Sequence, residues 1–173
     1  MASLVSRQGR QLQRYSSNGR RLVVGCIPYK LSTNSTCSDD LHSAVEVLVI
    51  SSQKGHGVMF PKGGWETDET KKQAALREAL EEAGVQGNVE ASSRTLTRRR
   101  LGKWKYKSRR HDSLHEGIMF PMNVTEELVQ WPEMDVRERR WVTVAEAREK
   151  CEHIWMREAL ERLVRRLENS SRN

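Results

Sequence analysis

The chain reads as an α+β domain, a mixed β-sheet packed between helices. Two observations predict this class. Val-rich apolar runs of strand length occur at residues 22–27 and 44–51, while helical spacing of apolar residues marks the segments beginning near Thr70 and near Cys151. Strands and helices are mixed without strict alternation, which argues for a mixed sheet. With 173 residues the chain fits one domain. We place that domain at residues 18–168, after a basic arm over 1–17 and before a tail, 169–173, expected to fray.

Taken in order, the run at 22–27 is a first strand and that at 44–51 a second. Between them, residues 30–40 (KLSTNSTCSDD) are polar and turn-rich, hence a surface loop. Residues 55–64 contain four glycines and Pro61 and read as an ordered loop rather than an element. A helix follows over 70–83. Thr70 and Gln73 form a capping box, good helix formers come next, and Gly84 stands where a left-handed stop is expected. Residues 101–107 and 116–122 are strands, the first amphipathic and the second more buried. Residues 140–143 form a short strand leading into a helix at 144–148. The last helix spans 151–167, with Ile154, Ala159, Leu160, Leu163 and Leu167 at core spacing.

Charge narrows the partner class. Lys and Arg number 30 against 23 Asp and Glu, an excess of +7 that calls for an anionic partner. No stretch approaches the ~18 apolar residues of a membrane span, so no membrane partner is expected. Cys26, Cys37 and Cys151 are odd in number and lack metal-ligand spacing, which favours reduced structural thiols. The first 38 residues contain no acid, and Arg7, Arg10, Arg14, Arg20 and Arg21 alternate with Ser and Gln. Such a composition suits a mitochondrial transit peptide. The preferred reading is instead a basic arm leading into the first strand, in a cytoplasmic or nuclear protein, with the mitochondrion as the alternative.

The helix at 70–83 carries the chemistry. At about 100° per residue, Glu78, Glu81 and Glu82 share one arc about 100° wide, while Leu76, Ala79, Leu80 and Ala83 form an apolar face on another. Like charges one turn apart repel, so basic neighbours or a hard cation must offset them. Alone, such a run would be a solvated acidic face bridged to Arg77 and nearby lysines. The loop just upstream, Phe60-Pro61-Lys62-Gly63-Gly64, changes that reading, because glycines let backbone groups approach a phosphate or metal closely.

Gly63, Glu69, Arg77, Glu78, Ala79, Glu81, Glu82, Gly84 and Val85 match every defined position of the Nudix box, Gly-x5-Glu-x7-Arg-Glu-U-x-Glu-Glu-x-Gly-U, with U aliphatic. The chain therefore resembles the Nudix hydrolases over nearly its whole length. The resemblance implies the Nudix fold and a Mg2+- or Mn2+-dependent hydrolysis of phosphoanhydrides. It makes Glu78 and Glu82 the principal metal ligands and Glu81 a further ligand or the base that activates water. Arg77 would orient the glutamates, Glu69 would be structural, and the carbonyl of Gly63 or Gly64 would complete the metal shell. Glu116 is an alternative base.

Within that family the chain resembles the diphosphoinositol polyphosphate phosphohydrolase branch, most closely its plant members. The stretches 18–21, 51–54, 60–66 and 101–110 carry this likeness. It implies Arg20, Arg21, Ser52, Lys54, Lys62, Gly63, Gly64, Arg109 and Arg110 as substrate-binding residues for an inositol pyrophosphate, with dinucleoside polyphosphates as second substrates. So anionic a ligand needs many charge-assisted contacts. Lys62 stands where many animal relatives have glycine, and residues 91–100 (ASSRTLTRRR) look like a basic loop insertion. The competing readings are a nucleotide-sugar, NADH or mRNA-cap pyrophosphatase, and a non-catalytic phosphate- or RNA-binding module. The intact glutamate set argues against the non-catalytic module, nucleic acid is disfavoured as a partner, and the sequence leaves the oligomeric state open.

Overall fold

The computed structural model describes residues 5–32, 41–52, 57–89 and 100–172. Its centre is a long strand, β1 (Arg21–Leu31), buried over most of its length. A second long strand, β7 (Leu114–Glu127), runs parallel to it from Arg21↔His115 to Tyr29↔Asn123. The remaining strands are antiparallel and share the edges of these two. On the β1 side, β2 (Val45–Ser51) pairs at one end and β4 (Lys62–Gly64) at the other. On the β7 side, β6 (Gly102–Lys107) pairs near the start and β5 (Val85–Val89) near the end. Strands β3 (Val58–Met59) and β8 (Arg139–Thr143) extend the sheet beyond β2. This is the mixed sheet that the sequence predicts.

Helix α2 (Lys71–Ala83) packs on β1, β4 and β5. Its start is set locally. Gln73 N–H donates to the Thr70 hydroxyl at 3.2 Å and Thr70 N–H to the Gln73 side chain at 2.8 Å. Its end is the left-handed Gly84, φ 63°, whose N–H reaches the Leu80 carbonyl at 3.1 Å. Helix α4 (Ile154–Ser171) lies against β6, beside α3 (Val144–Lys150) and the short α1 (Leu41–Ala44). It buries Trp155, Met156, Ala159, Leu160, Leu163 and Val164. Each large apolar side chain so covered contributes about 1.5–3 kcal/mol. Among the described residues no helix is long and apolar enough to cross a membrane.

Four expectations need correction. The 55–64 region is not simply a loop, because Lys62–Gly64 adds to β1 as a strand. Strand β5 is missed, since its sequence VQGNV has valine only at its ends and becomes a strand by pairing with β7. The last helix begins later than expected and runs on to Ser171, where the Ser170 and Ser171 hydroxyls donate to the Arg166 and Leu167 carbonyls at 3.0 Å. Ile154, expected in the core, is 68% exposed at the helix start, and Trp155 and Met156 face inward instead. Cys26 and Cys151 are free and buried. Cys37, most of the 30–40 loop and residues 91–99 of the basic insertion lie outside the described residues.

Candidate active site

The capped helix α2 presents Glu78, Glu81 and Glu82 not to solvent but inward, each between 7% and 8% exposed. Ala74 and Ala75, which flank the same arc of the helix, are fully buried, so the carboxylate face is itself a packing face. Leu76 and Leu80, assigned to the buried face from the sequence, are only half-buried. The glycine loop makes this burial feasible. A Cβ on Gly63 would stand 2.1 Å from Glu78 Oε1, and one on Gly64 would stand 1.9 Å from Gln13 Oε1. Both glycines are therefore used first by the protein's own side chains.

Two arginines organise the acids from behind. Arg77 donates to both oxygens of Glu69 (3.0 and 2.7 Å), to Glu78 Oε1 (2.7 Å), to Glu81 Oε2 (3.3 Å) and to the Gly64 carbonyl (2.9 Å). Glu69 thus acts as the anchor of Arg77. Arg137 donates to Glu82 Oε1 at 2.9 Å and to the Ser51 carbonyl at 3.2 Å, while Lys62 N–H occupies Glu82 Oε2 at 3.0 Å. Arg137 arrives on a segment fastened to α2 by Glu133 N–H, which donates to the Glu81 carbonyl at 3.0 Å.

Even so, negative charge remains in excess. Burial, then the neighbouring Glu82, push the Glu78 carboxyl up to about 8, against the pull of Arg77. Burial also raises Glu82 despite Arg137 and Lys62, and raises Glu81 despite the Arg7 N–H and Arg77. A nearby cation would relieve these costs.

The acids line a cavity of about 940 Å³ that is lined by cations as well. Arg21, Lys62, Arg109 and Arg110 line it, with Ser52, Gly63 and Gly64. Arg21 and Lys62 form no ion pair among the described residues: the Arg21 Nε donates to the neutral Gln13 side chain at 2.8 Å. Burial lowers the pKa of both. Arg109 lies at the rim on Glu152, 3.3 Å away.

Arg20 does not line the cavity. The chain is extended here, so successive side chains point to opposite faces, and Arg20 turns to Glu116 at 3.2 Å while Arg21 points inward. Glu116 is likewise off the cavity. Lys103 at 2.9 Å, and then Arg20, hold its carboxyl below the usual range, which makes it a weaker base. Lys54 lies outside the described residues.

Several lining residues escaped the sequence reading. Arg137 and Glu133 carry an (i, i+4) acid–base spacing that could have flagged them. Tyr106 and His115 face each other across the β6–β7 register, and His115 is the partner of Arg21 across β7–β1. Tyr106 stacks on Trp155 at 4.6 Å. Burial, then Arg21 and Lys62, push His115 down to about 4, so its imidazole is neutral near pH 7. From the N-terminal arm, Ser6, Arg7 and Gln8 also line the cavity, and Arg7 N–H donates to Glu81 Oε1 at 3.2 Å. No signal in the sequence pointed to those contacts.

The fold and the carboxylate helix together define a hydrolase domain of a known class. A model of the NUDIX domain matches residues 37–163, and the chain belongs to the Nudix hydrolase family. It is 57% identical over 169 residues to Nudix hydrolase 17, mitochondrial, of Arabidopsis thaliana, covering 96% of this chain and 86% of that protein. It is 51% identical over 164 residues to Arabidopsis Nudix hydrolase 4, covering 95% and 75%. Among solved structures, the C. elegans Ap4A hydrolase superposes with a TM-score of 0.62 at 17% identity, over 84% of this chain and 97% of that one. The NUDIX domain of Shewanella oneidensis NrtR, cocrystallised with ADP ribose, gives 0.63 at 16%, over 88% and 94%. At such identities the structural likeness concerns the fold alone.

Proposed function

We propose that this Nudix hydrolase cleaves phosphoanhydride bonds in densely phosphorylated small molecules, diphosphoinositol polyphosphates foremost, with dinucleoside polyphosphates as second substrates. The observation that carries the reading is the bipolar cavity. Arg21 and Lys62, each partly buried and in no ion pair among the described residues, line the same cavity as the cluster of carboxylates, a space large enough for a polyphosphorylated ring. Cations not held in an ion pair are poised to bind an external polyanion.

The acids fit a hard divalent cation, Mg2+ or Mn2+. The donors are all oxygens, and their charge exceeds what Arg77 and Arg137 offset. Among the described residues no three His, Cys, Asp or Glu side chains converge as a ligand set by themselves. By the family resemblance, Glu78 and Glu82 would hold the ion with the Gly63 carbonyl, Glu81 assisting, and substrate phosphate would complete the shell, as is usual for magnesium. Bound there, the cation would neutralise phosphate charge and polarise the phosphorus under attack. Glu81, held by Arg77 and the Arg7 amide, takes the proton from the attacking water. Arg77 keeps Glu78 and Glu81 in register, and Arg21 and Lys62 stabilise charge on the phosphates.

A second reading, a nucleotide-type substrate as the main one, draws on the structural neighbours named for Ap4A and ADP ribose. A substrate panel with magnesium and with manganese separates them. Phosphate release from an inositol pyrophosphate supports the first reading. Cleavage of capped RNA, NADH or nucleotide sugars, without such release, refutes it. Glu82→Gln should abolish turnover in a folded protein, and unchanged activity would dispose of the metal site and leave a binding module as the rival.

For location, two Arabidopsis relatives, Nudix hydrolases 17 and 18, are named mitochondrial, which is consistent with the mitochondrial alternative.

A further inference from the structure

We infer that Gln13, in the arm ahead of the first strand, is a positioning residue for the reaction: its amide aims Arg21 into the cavity. The inference rests on the reading of Arg21 as a phosphate contact, and it concerns a residue outside the 37–163 stretch that the family model matches.

The geometry is specific. Gln13 is buried, 9% exposed, in a chain segment otherwise rich in surface residues. Its Nε2 donates to the carbonyls of Arg14 (2.8 Å), Leu22 (2.9 Å) and Trp65 (3.3 Å). Three carbonyl oxygens surround one end of the amide and a guanidinium, which can only donate, lies at the other, so the amide can be oriented in only one sense. Its Oε1 then points at Arg21 Nε, 2.8 Å away. Gly64 leaves the room for this, since a Cβ there would lie 1.9 Å from Gln13 Oε1 and 2.8 Å from the Arg21 guanidinium. The second glycine of the loop is thereby tied to the arm and to Arg21 on one side. On the other, its carbonyl is tied to Arg77.

The backbone does not need this amide. Each of the three carbonyls already accepts a main-chain bond: Arg14 from Leu22 N–H (3.1 Å), Leu22 from Trp65 N–H (3.0 Å) and Trp65 from Arg14 N–H (2.9 Å). What Gln13 adds is a fixed, uncharged acceptor. A carboxylate in its place would neutralise Arg21, whereas the amide orients the guanidinium and leaves its full charge for phosphate. The arm is accordingly part of the site, and removal of residues 1–17 as a leader would take Gln13 with it.

The test compares wild type, Gln13→Met, Arg21→Ala and the double variant. Methionine keeps length and burial without the amide. Calorimetric binding of inorganic tripolyphosphate and steady-state hydrolysis of diadenosine tetraphosphate are both measured. Arg21→Ala should weaken tripolyphosphate binding, and raise KM, about tenfold. Gln13→Met should do the same by about three- to tenfold with kcat little changed, the pattern of lost ground-state binding. In the Arg21→Ala background Gln13→Met should add less than about twofold. Gln13→Asn, which keeps an amide but withdraws it by one methylene, should reproduce the loss if the methionine variant fails to fold. A Gln13→Met effect that multiplies with Arg21→Ala, or that lowers kcat at unchanged KM and affinity, overturns the role assigned to Gln13 alone. Unchanged binding and KM in Arg21→Ala would instead remove the phosphate reading of Arg21, and the inference with it.

Discussion

Replacing Arg137 with alanine strips Glu82 of its ion pair while leaving the carboxylate inside the protein. The two side chains are 8% and 9% exposed and lie 2.9 Å apart. Removing one partner of a buried pair costs about 3–5 kcal/mol. The Lys62 N–H still reaches Glu82 Oε2 at 3.0 Å, so the lower end applies, about 3 kcal/mol near pH 8. For a domain of this size that lowers the melting midpoint by about 6–12 °C.

The cost must depend on pH. Burial already raises the Glu82 carboxyl, and loss of Arg137 raises it further. A carboxyl whose pKa is higher folded than unfolded binds protons preferentially in the folded state. Stability is then lost as pH climbs from the ordinary carboxylate range toward the folded value. Toward pH 5.5 the variant's Glu82 takes up a proton more readily than in the wild type, and the deficit should shrink toward about 1 kcal/mol, that of lost hydrogen bonds. Urea and thermal melts at the two pH values, with a chelator to exclude divalent cations, make the measurement. Equal losses at both, or a loss under about 1 kcal/mol near pH 8, would refute the buried-pair argument.

Three further outcomes follow from the same geometry. With Glu78 pushed up to about 8, the metal-free wild type should lose stability as pH rises from about 5 to about 8. Glu78→Gln should flatten that slope, and Mg2+ or Mn2+ should raise the wild-type midpoint more at the upper pH than at the lower. Gly63→Ala puts a methyl 2.1 Å from Glu78 Oε1, and the displaced carboxylate should lower kcat about 100-fold in metal-saturated assays; a residual rate within about threefold of wild type would contradict the close packing. Thr70→Ala removes the helix cap and should cost about 1 kcal/mol in denaturant melts, with kcat/KM nearly unchanged because the cap does not touch the cavity.

Helix α2 was legible because its information is local. Thr70, Gln73 and Gly84 fix its ends within one turn, and the Nudix spacing of Gly63, Glu69, Arg77, Glu78, Glu81 and Glu82 identifies the family without any long-range contact. Strands β1 and β2 were read from apolar runs and β6 from its amphipathic pattern for the same reason. Strand β5 and the second half of β7 were not, since polar stretches such as NVTEE become strands only when a partner is supplied.

The candidate site divides along the same line. The sequence by itself determined which helix carries the acids, that a glycine loop precedes it, and that the chain has cations to spare. The tertiary structure alone decided that those acids are buried, that Arg137, 55 residues away, pairs with Glu82, and that Gln13 reaches Arg21. It also separated Arg21 in the cavity from Arg20 on Glu116, and withdrew Glu116 from the site. The physical reason is that capping and helical spacing act over a few residues, whereas the pairing of buried charges depends on sheet register and on which side chain fills the space a distant glycine leaves open.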